Sequence, residues 1–239
     1  MLSQQLAHIE NIASKDFLEG IQKMEFSLTY IPSAKETSKK LYNHVGWKLV
    51  DAENAYLPGD LWFGHLMKKE FPVTNYIRPM KEINFTPFPD LFHEYFGHMP
   101  AMFLQEVADL EYKFAELFFA VPEHQREQVF TLSWYTIEYA LFLENNNIKA
   151  FGAGIMSSPG DLERVSRPEK DWDFVVEEGT LENILPILPS PHAPHKKLFV
   201  FHGLQHFHQL IDEYMKDFEK YEHLCTGDEM TKMIHEIAC

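Results

Sequence analysis

The segment Pro89-Asp-Leu-Phe-His93-Glu-Tyr-Phe-Gly-His98-Met-Pro100 constrains this chain more than any other, because it sets two histidines five residues apart in a helix-forming run bounded by prolines. On a regular α-helix a five-residue step separates side chains by roughly 140°. The pair therefore converges only if the helix yields between its members. Gly97 offers a permissive backbone and Pro100 disfavours helical geometry at Met99, which predicts that His98 swings off the helix axis toward His93. Upstream, Asn84-Phe-Thr86-Pro87-Phe88-Pro89-Asp90 forces an extended approach, since residues before proline avoid the helical region.

Around this segment the periodicities are mostly helical. Leu2, Leu6, Ile9, Ala13 and Phe17 predict one amphipathic N-terminal helix. A second helix is expected from Lys35 to Val50, a loop from Asp51 to Gly59, and a short helix from Pro58 carrying Leu61, Trp62, Leu66 and Met67. Val73 to Ile77 reads as a strand. Ala101 to Ala120 and Glu123 to Glu144 read as two long helices flanking Pro122. Ser158-Pro-Gly-Asp161 has the pattern of a capping box, and strands are expected near Phe174–Val176 and Leu198–Phe201, with a helix from about Leu204. These elements predict a mainly α fold with a small β component, and 239 residues without an internal repeat fit a single domain over residues 1–239.

Charge and cysteine content narrow the function classes. The balance of 21 basic against 36 acidic residues gives a net charge of −15, which repels nucleic-acid phosphates and anionic lipid at long range. No apolar run approaches membrane-spanning length, and with acidic residues among the first 25 no secretory signal is expected there. Cys225 and Cys239 are too few for a disulfide framework, so a reducing, cytoplasmic setting is expected, with small molecules as partners and a monomer or small homo-oligomer as the assembly.

Glu138 supplies the third piece of chemistry, because it shares a predicted apolar helix face with Trp134, Ile137 and Leu141. An unpaired carboxylate there costs several kcal/mol, whereas a cation would pair it. Two imidazoles and one carboxylate leave coordination positions open, as in non-haem iron(II) oxygenases. A zinc hydrolase could use the same ligands with Glu94 as base, although the histidine spacing differs from His-Glu-x-x-His. A metal-stabilised interaction domain without catalysis is a third possibility. The chain has no Glu-x-x-His, which removes the di-iron carboxylate bundle. His192, His195, His202, His206 and His208 form a second group, read as solvated loop and helix-face histidines because no acidic third ligand is placed beside them.

Three separated stretches, Thr86-Pro-Phe-Pro-Asp-Leu-Phe-His-Glu-Tyr-Phe-Gly-His98, Trp134-Tyr-Thr-Ile-Glu138 and Ile148-Lys-Ala-Phe-Gly-Ala-Gly-Ile-Met-Ser-Ser158, resemble the pterin-dependent aromatic amino acid hydroxylases in order and spacing. The resemblance is densest over residues 50–161 and implies a helical-basket catalytic domain alone, without the regulatory and tetramerisation segments of the animal enzymes. It implies Fe(2+) held by His93, His98 and Glu138, and a tetrahydropterin as the electron donor, with Trp62 stacking on the pterin ring. Ala55 and Leu57 would contact that ring, and Glu94 would face the gap between iron and pterin.

For the substrate, the same resemblance assigns Arg78 to the amino-acid carboxylate, Thr86, Pro87 and Ser157 to its surroundings, and Trp134 to the aromatic ring. Ser157 would also support the first histidine ligand. A Trp at 134 resembles the phenylalanine and tyrosine enzymes more than the tryptophan enzymes, so ring hydroxylation of phenylalanine with O2 is the expected activity. The chain departs from the family pattern at Pro72, Phe88, Ser133 and Tyr139, which leaves a different aromatic substrate or ring position open.

Overall fold

The computed structural model describes residues 9–25, 30, 32–52, 57–85, 88–191 and 193–224. The N-terminal amphipathic run is two helical pieces in its described part, because Ser14 leaves the helix to bond a sheet edge. Its N–H donates to Ala150 O at 2.8 Å, while its hydroxyl caps the helix Lys15–Met24 by accepting from Phe17 N at 3.2 Å. Residues 2–8 of that expectation lie outside the described residues.

Ser33 and Glu36 form a reciprocal capping box that starts the helix Ala34–Val45. The helix stops short of the expected Val50 because Lys48–Asp51 is strand β1, paired in parallel with β2, Glu70–Val73. The second strand thus precedes the expected 73–77 stretch. Pro72 sits inside it, a position tolerated because a two-stranded sheet consists only of edges. Between the two strands lies the helix Gly59–Leu66, which buries Phe63 and Leu66.

The largest departure from expectation falls in the predicted helix from Glu123 to Glu144. Only Arg126–Ser133 is α-helical; Trp134–Glu138 is π-helical, and the chain then enters β3, Ala140–Glu144, which returns as β4, Asn147–Ala150. Asn145 and Asn146 adopt φ of 50° and 63°, the left-handed pair that a two-residue hairpin turn needs. Trp134, Ile137 and Leu141 fall at helical spacing by coincidence, and the Asn-Asn signal outweighs it.

β3 is one of the two inner strands of a four-stranded sheet in the order β4-β3-β6-β5, where β5 is Val175–Glu178 and β6 is Lys197–Phe201, both close to the expected positions. β6 pairs in parallel with both neighbours. Phe142 and Phe151 stack at 4.4 Å and 10°, and Phe201 and Phe207 pack around them. The helices Gln105–Ala120 and Leu204–Lys216 cover this aromatic core, and each fully buried Phe contributes roughly 1.5–3 kcal/mol. The fold is mainly α with small sheets, as the sequence predicts. Among the described residues no helix is long and apolar enough to cross a membrane.

Ser158 caps the helix Pro159–Ser166 by accepting from Asp161 N at 3.2 Å, but only half of the expected capping box forms. Asp161 instead turns its carboxylate to Arg164, 2.8 Å away.

Candidate metal centre

The histidine segment does not fray between its ends; it widens. His93–His98 is a π-helix, in which bonds run from i to i+5, so residues five apart come to lie along one face. Met99 N–H donates to Glu94 O, and Pro100, with no N–H to offer, stands where the bonding returns to the α pattern. Met99 keeps helical dihedrals of −59° and −41° despite the following proline, contrary to expectation. Gly97 serves packing more than backbone freedom, since a Cβ there would come within 2.7 Å of Ala153 O.

Glu138 arrives by the same device. It ends the π-helix Trp134–Glu138, closed by Tyr139 N–H donating to Trp134 O at 3.0 Å. The two widened turns face each other. His93 Nε2 and His98 Nε2 lie 2.9 Å apart, and Glu138 places Oε1 3.0 Å from His98 Nε2 and Oε2 3.6 Å from His93 Nε2. Glu94 also brings a carboxylate oxygen within 4.8 Å of the imidazole donor atoms, but Glu138 makes the closer contacts to both histidines.

The hydrogen bonds set the tautomer that a metal needs. Ser157 Oγ–H donates to Ala153 O at 2.8 Å, so its oxygen accepts from His93 Nδ1–H, also at 2.8 Å. The lone pair of His93 is therefore on Nε2, facing the cluster. Burial holds the His93 imidazole down to about 4, in its neutral form. Burial alone would lower His98 too, but the Glu138 carboxylate beside it outweighs that and raises it. Burial likewise works against Glu138 ionising, yet the two imidazoles and the Gly154 N–H hold it well below the usual range. Two inward nitrogens and a retained carboxylate charge fit a divalent cation with imidazole affinity. Burial pushes Glu94 up to about 8, and Glu111, on the helix Gln105–Ala120, up to about 7.

Next to the cluster, Arg78 is buried and gripped by Asp90. Nη2 donates to Oδ1 at 2.6 Å, Nε to Oδ2 at 3.0 Å and the Arg78 backbone N–H to Oδ2 at 2.8 Å. Nη1 donates to Ser157 O at 3.1 Å. Among the described residues, three of the five guanidinium N–H donors are thus engaged, which leaves two to meet a carboxylate. Asp90 Oδ1 also accepts from His93 N at 3.0 Å, tying the arginine to the histidine turn. Asp90 is not among the residues expected from the sequence, and its place three residues ahead of His93, where a helix cap would stand, is the signal that marks it.

Trp134 is half-buried, and its indole Nε1–H donates to His195 Nε2 at 2.9 Å. Tyr139 stacks on the indole at 5.4 Å and 23°. His195 is buried between Trp134, Tyr135 and Tyr139, and burial lowers it to about 4, so the reading of it as a solvated histidine is corrected. Nothing in its local sequence marks it, because the contact spans 61 residues. Trp62 is half-buried and meets Phe71 edge-on at 5.4 Å and 77°, and Phe71 in turn lies 5.2 Å from the His98 ring. Leu57 is partly buried just before that helix. Ala55, Thr86 and Pro87 lie outside the described residues.

The sequence profile of the biopterin-dependent aromatic amino acid hydroxylases matches residues 4–235, well beyond the 50–161 core, and the chain belongs to that family. Among its curated relatives, the chloroplastic phenylalanine 4-monooxygenase of Pinus taeda is 31% identical over 208 residues, covering 87% of this chain and 54% of the relative. The chain spans about half the length of the curated relatives it matches. Phenylalanine hydroxylase from Legionella pneumophila shares the fold, with a TM-score of 0.84 at 24% identity over 92% of this chain and 94% of that one. The Chromobacterium violaceum phenylalanine hydroxylase, solved with bound iron(III) and oxidised 7,8-dihydrobiopterin, superposes with a TM-score of 0.80 at 25% identity, covering 92% and 78% of the two chains.

Proposed function

We propose that the chain is an iron(II)- and tetrahydropterin-dependent monooxygenase that hydroxylates the ring of a free aromatic amino acid with O2, with phenylalanine to tyrosine as the first choice. The observation that carries this reading is the convergence of His93 Nε2, His98 Nε2 and the Glu138 carboxylate at 2.9 to 3.6 Å, with the His93 lone pair turned inward by Ser157. When bound, iron(II) would activate O2 and the reduced pterin would supply the two electrons needed, so that one oxygen atom enters the ring and the other ends at the level of water as the pterin is oxidised.

In this reading His93, His98 and Glu138 hold the ion on one side and leave the opposite positions open. Arg78 offers its two remaining N–H donors to the substrate carboxylate, while Asp90 keeps the guanidinium plane fixed. Thr86, Pro87 and Ser157 surround the head group. Trp134, held by His195, borders the aromatic ring, and Trp62 with Ala55, Leu57 and Glu94 forms the pterin side. The surrounding aromatic residues exclude water from the reacting atoms.

The reading takes the whole chain as one catalytic domain working in a reducing cytoplasm as a monomer or small homo-oligomer, which light scattering on the purified chain checks. Activity is tested by anaerobic reconstitution with iron(II) and a tetrahydropterin, then O2 with phenylalanine, tyrosine or tryptophan and product analysis. Pterin-dependent tyrosine formation from phenylalanine is expected. Turnover of none of the three, or pterin-independent hydrolysis with zinc(II), overturns the proposal.

A further inference from the structure

A second set of metal-ligating side chains shares no residue with the first. Glu178, His202 and His206 bring one carboxylate oxygen and one nitrogen from each imidazole within 4.8 Å of one another. Their backbone positions follow from the sheet. Glu178 ends β5 opposite Val200 of β6, so it lies beside the point where β6 gives way to His202. Gly203 then turns the chain with φ of 90°, a conformation that strains other residues, and the helix Leu204–Lys216 begins at once. That turn places His206 over His202, with its N–H donating to Gly203 O at 3.1 Å.

The side chains are held as well as near. The His206 ring meets Phe201 edge-on at 5.6 Å and 68°, and lies almost parallel to the His202 ring at 5.6 Å and 24°. His202 Nε2 stands 2.9 Å from Glu178 Oε1. His206 Nδ1 accepts from the His202 backbone N–H at 3.3 Å, a long bond that a stronger electron-pair acceptor can replace.

We propose that Glu178, His202 and His206 form a second, outer divalent-metal site. Two nitrogen donors and one carboxylate suit zinc(II), cobalt(II) or nickel(II) and are poor for the oxygen-preferring magnesium(II) and calcium(II). The three groups leave room for water to complete the shell. β5 is an edge strand, so an ion here staples the edge of the sheet to the first turn of the helix behind it. The alternative is a plain surface ion pair between His202 and Glu178, which would need neither His206 nor a cation.

The test titrates the metal-free chain with cobalt(II) and counts bound ion, comparing the wild type with His206→Gln and His202→Gln. The proposal expects the wild type to bind one equivalent more than either variant. It also expects zinc(II) to raise the Tm of Glu138→Gln, in which the inner cluster is broken, and not that of Glu138→Gln combined with His206→Gln. Equal stoichiometry in wild type and both outer variants, or the same zinc response with and without His206, overturns it. A wild type that binds one equivalent and a His206→Gln variant that binds none would support the outer site while refuting the inner metal centre, so the two readings fail separately.

Discussion

The Trp134 indole N–H donates to His195 Nε2 at 2.9 Å, and this bond orients the aromatic side chain assigned to the substrate ring. His195 must be neutral, with its proton on Nδ1, to accept it. Replacing it, as in His195→Phe, strands a half-buried indole donor, which costs about 1–3 kcal/mol. The urea midpoint is expected to fall by a corresponding amount, and the KM for the aromatic substrate to rise more than kcat falls. An unchanged KM would remove His195 from the substrate side.

The same imidazole makes stability depend on pH. Its folded pKa is lowered from 6.5 to about 4 by burial and then by Arg164, so the unfolded chain takes up the proton first as the pH falls. The neutral ring therefore costs nothing above 6.5, and stability is lost between 6.5 and 4, by about 3 kcal/mol in the limit. Chemical denaturation across that window should show His195→Phe losing less stability on acidification than the wild type.

Ser157 decides which nitrogen of His93 faces the cluster. Ser157→Ala removes the acceptor for His93 Nδ1–H, and loss of such an outer partner typically costs roughly 10–100-fold in metal affinity. Iron(II) binding should weaken by about that range, while far-ultraviolet circular dichroism stays unchanged.

Arg78→Ala tests more than substrate binding. It leaves the Asp90 carboxylate, which has no exposed surface, without its guanidinium, and breaking one side of a buried pair costs about 3–5 kcal/mol. The variant should unfold at markedly lower denaturant, and Arg78→Met with Asp90→Asn should recover part of that loss. Substrate KM is informative only in the variant that recovers stability.

The three side chains that converge, and the prolines around them, were legible in the chain as candidate donors, because His93, His98 and Glu138 are chemical identities that no packing alters. The mainly helical class was legible as well, as were β5, β6 and the helix after Leu204, since each is a local pattern of apolar residues and turn formers. Reading Glu138 as part of a long α-helix was an error of period: the apolar spacing continued past the point where Asn145 and Asn146 turn the chain back.

What only the tertiary structure decided is how those donors meet. Two π-helical turns face each other because Gly97 lets one approach Ala153 while Tyr139 closes the other, and neither widening has a signature in residue type alone. Asp90 beneath Arg78 and His195 behind Trp134 are ordinary residues until contacts across 12 and 61 positions define them. Sequence carries the candidate ligands and local preferences; the long-range packing that aims them is a property of the folded chain.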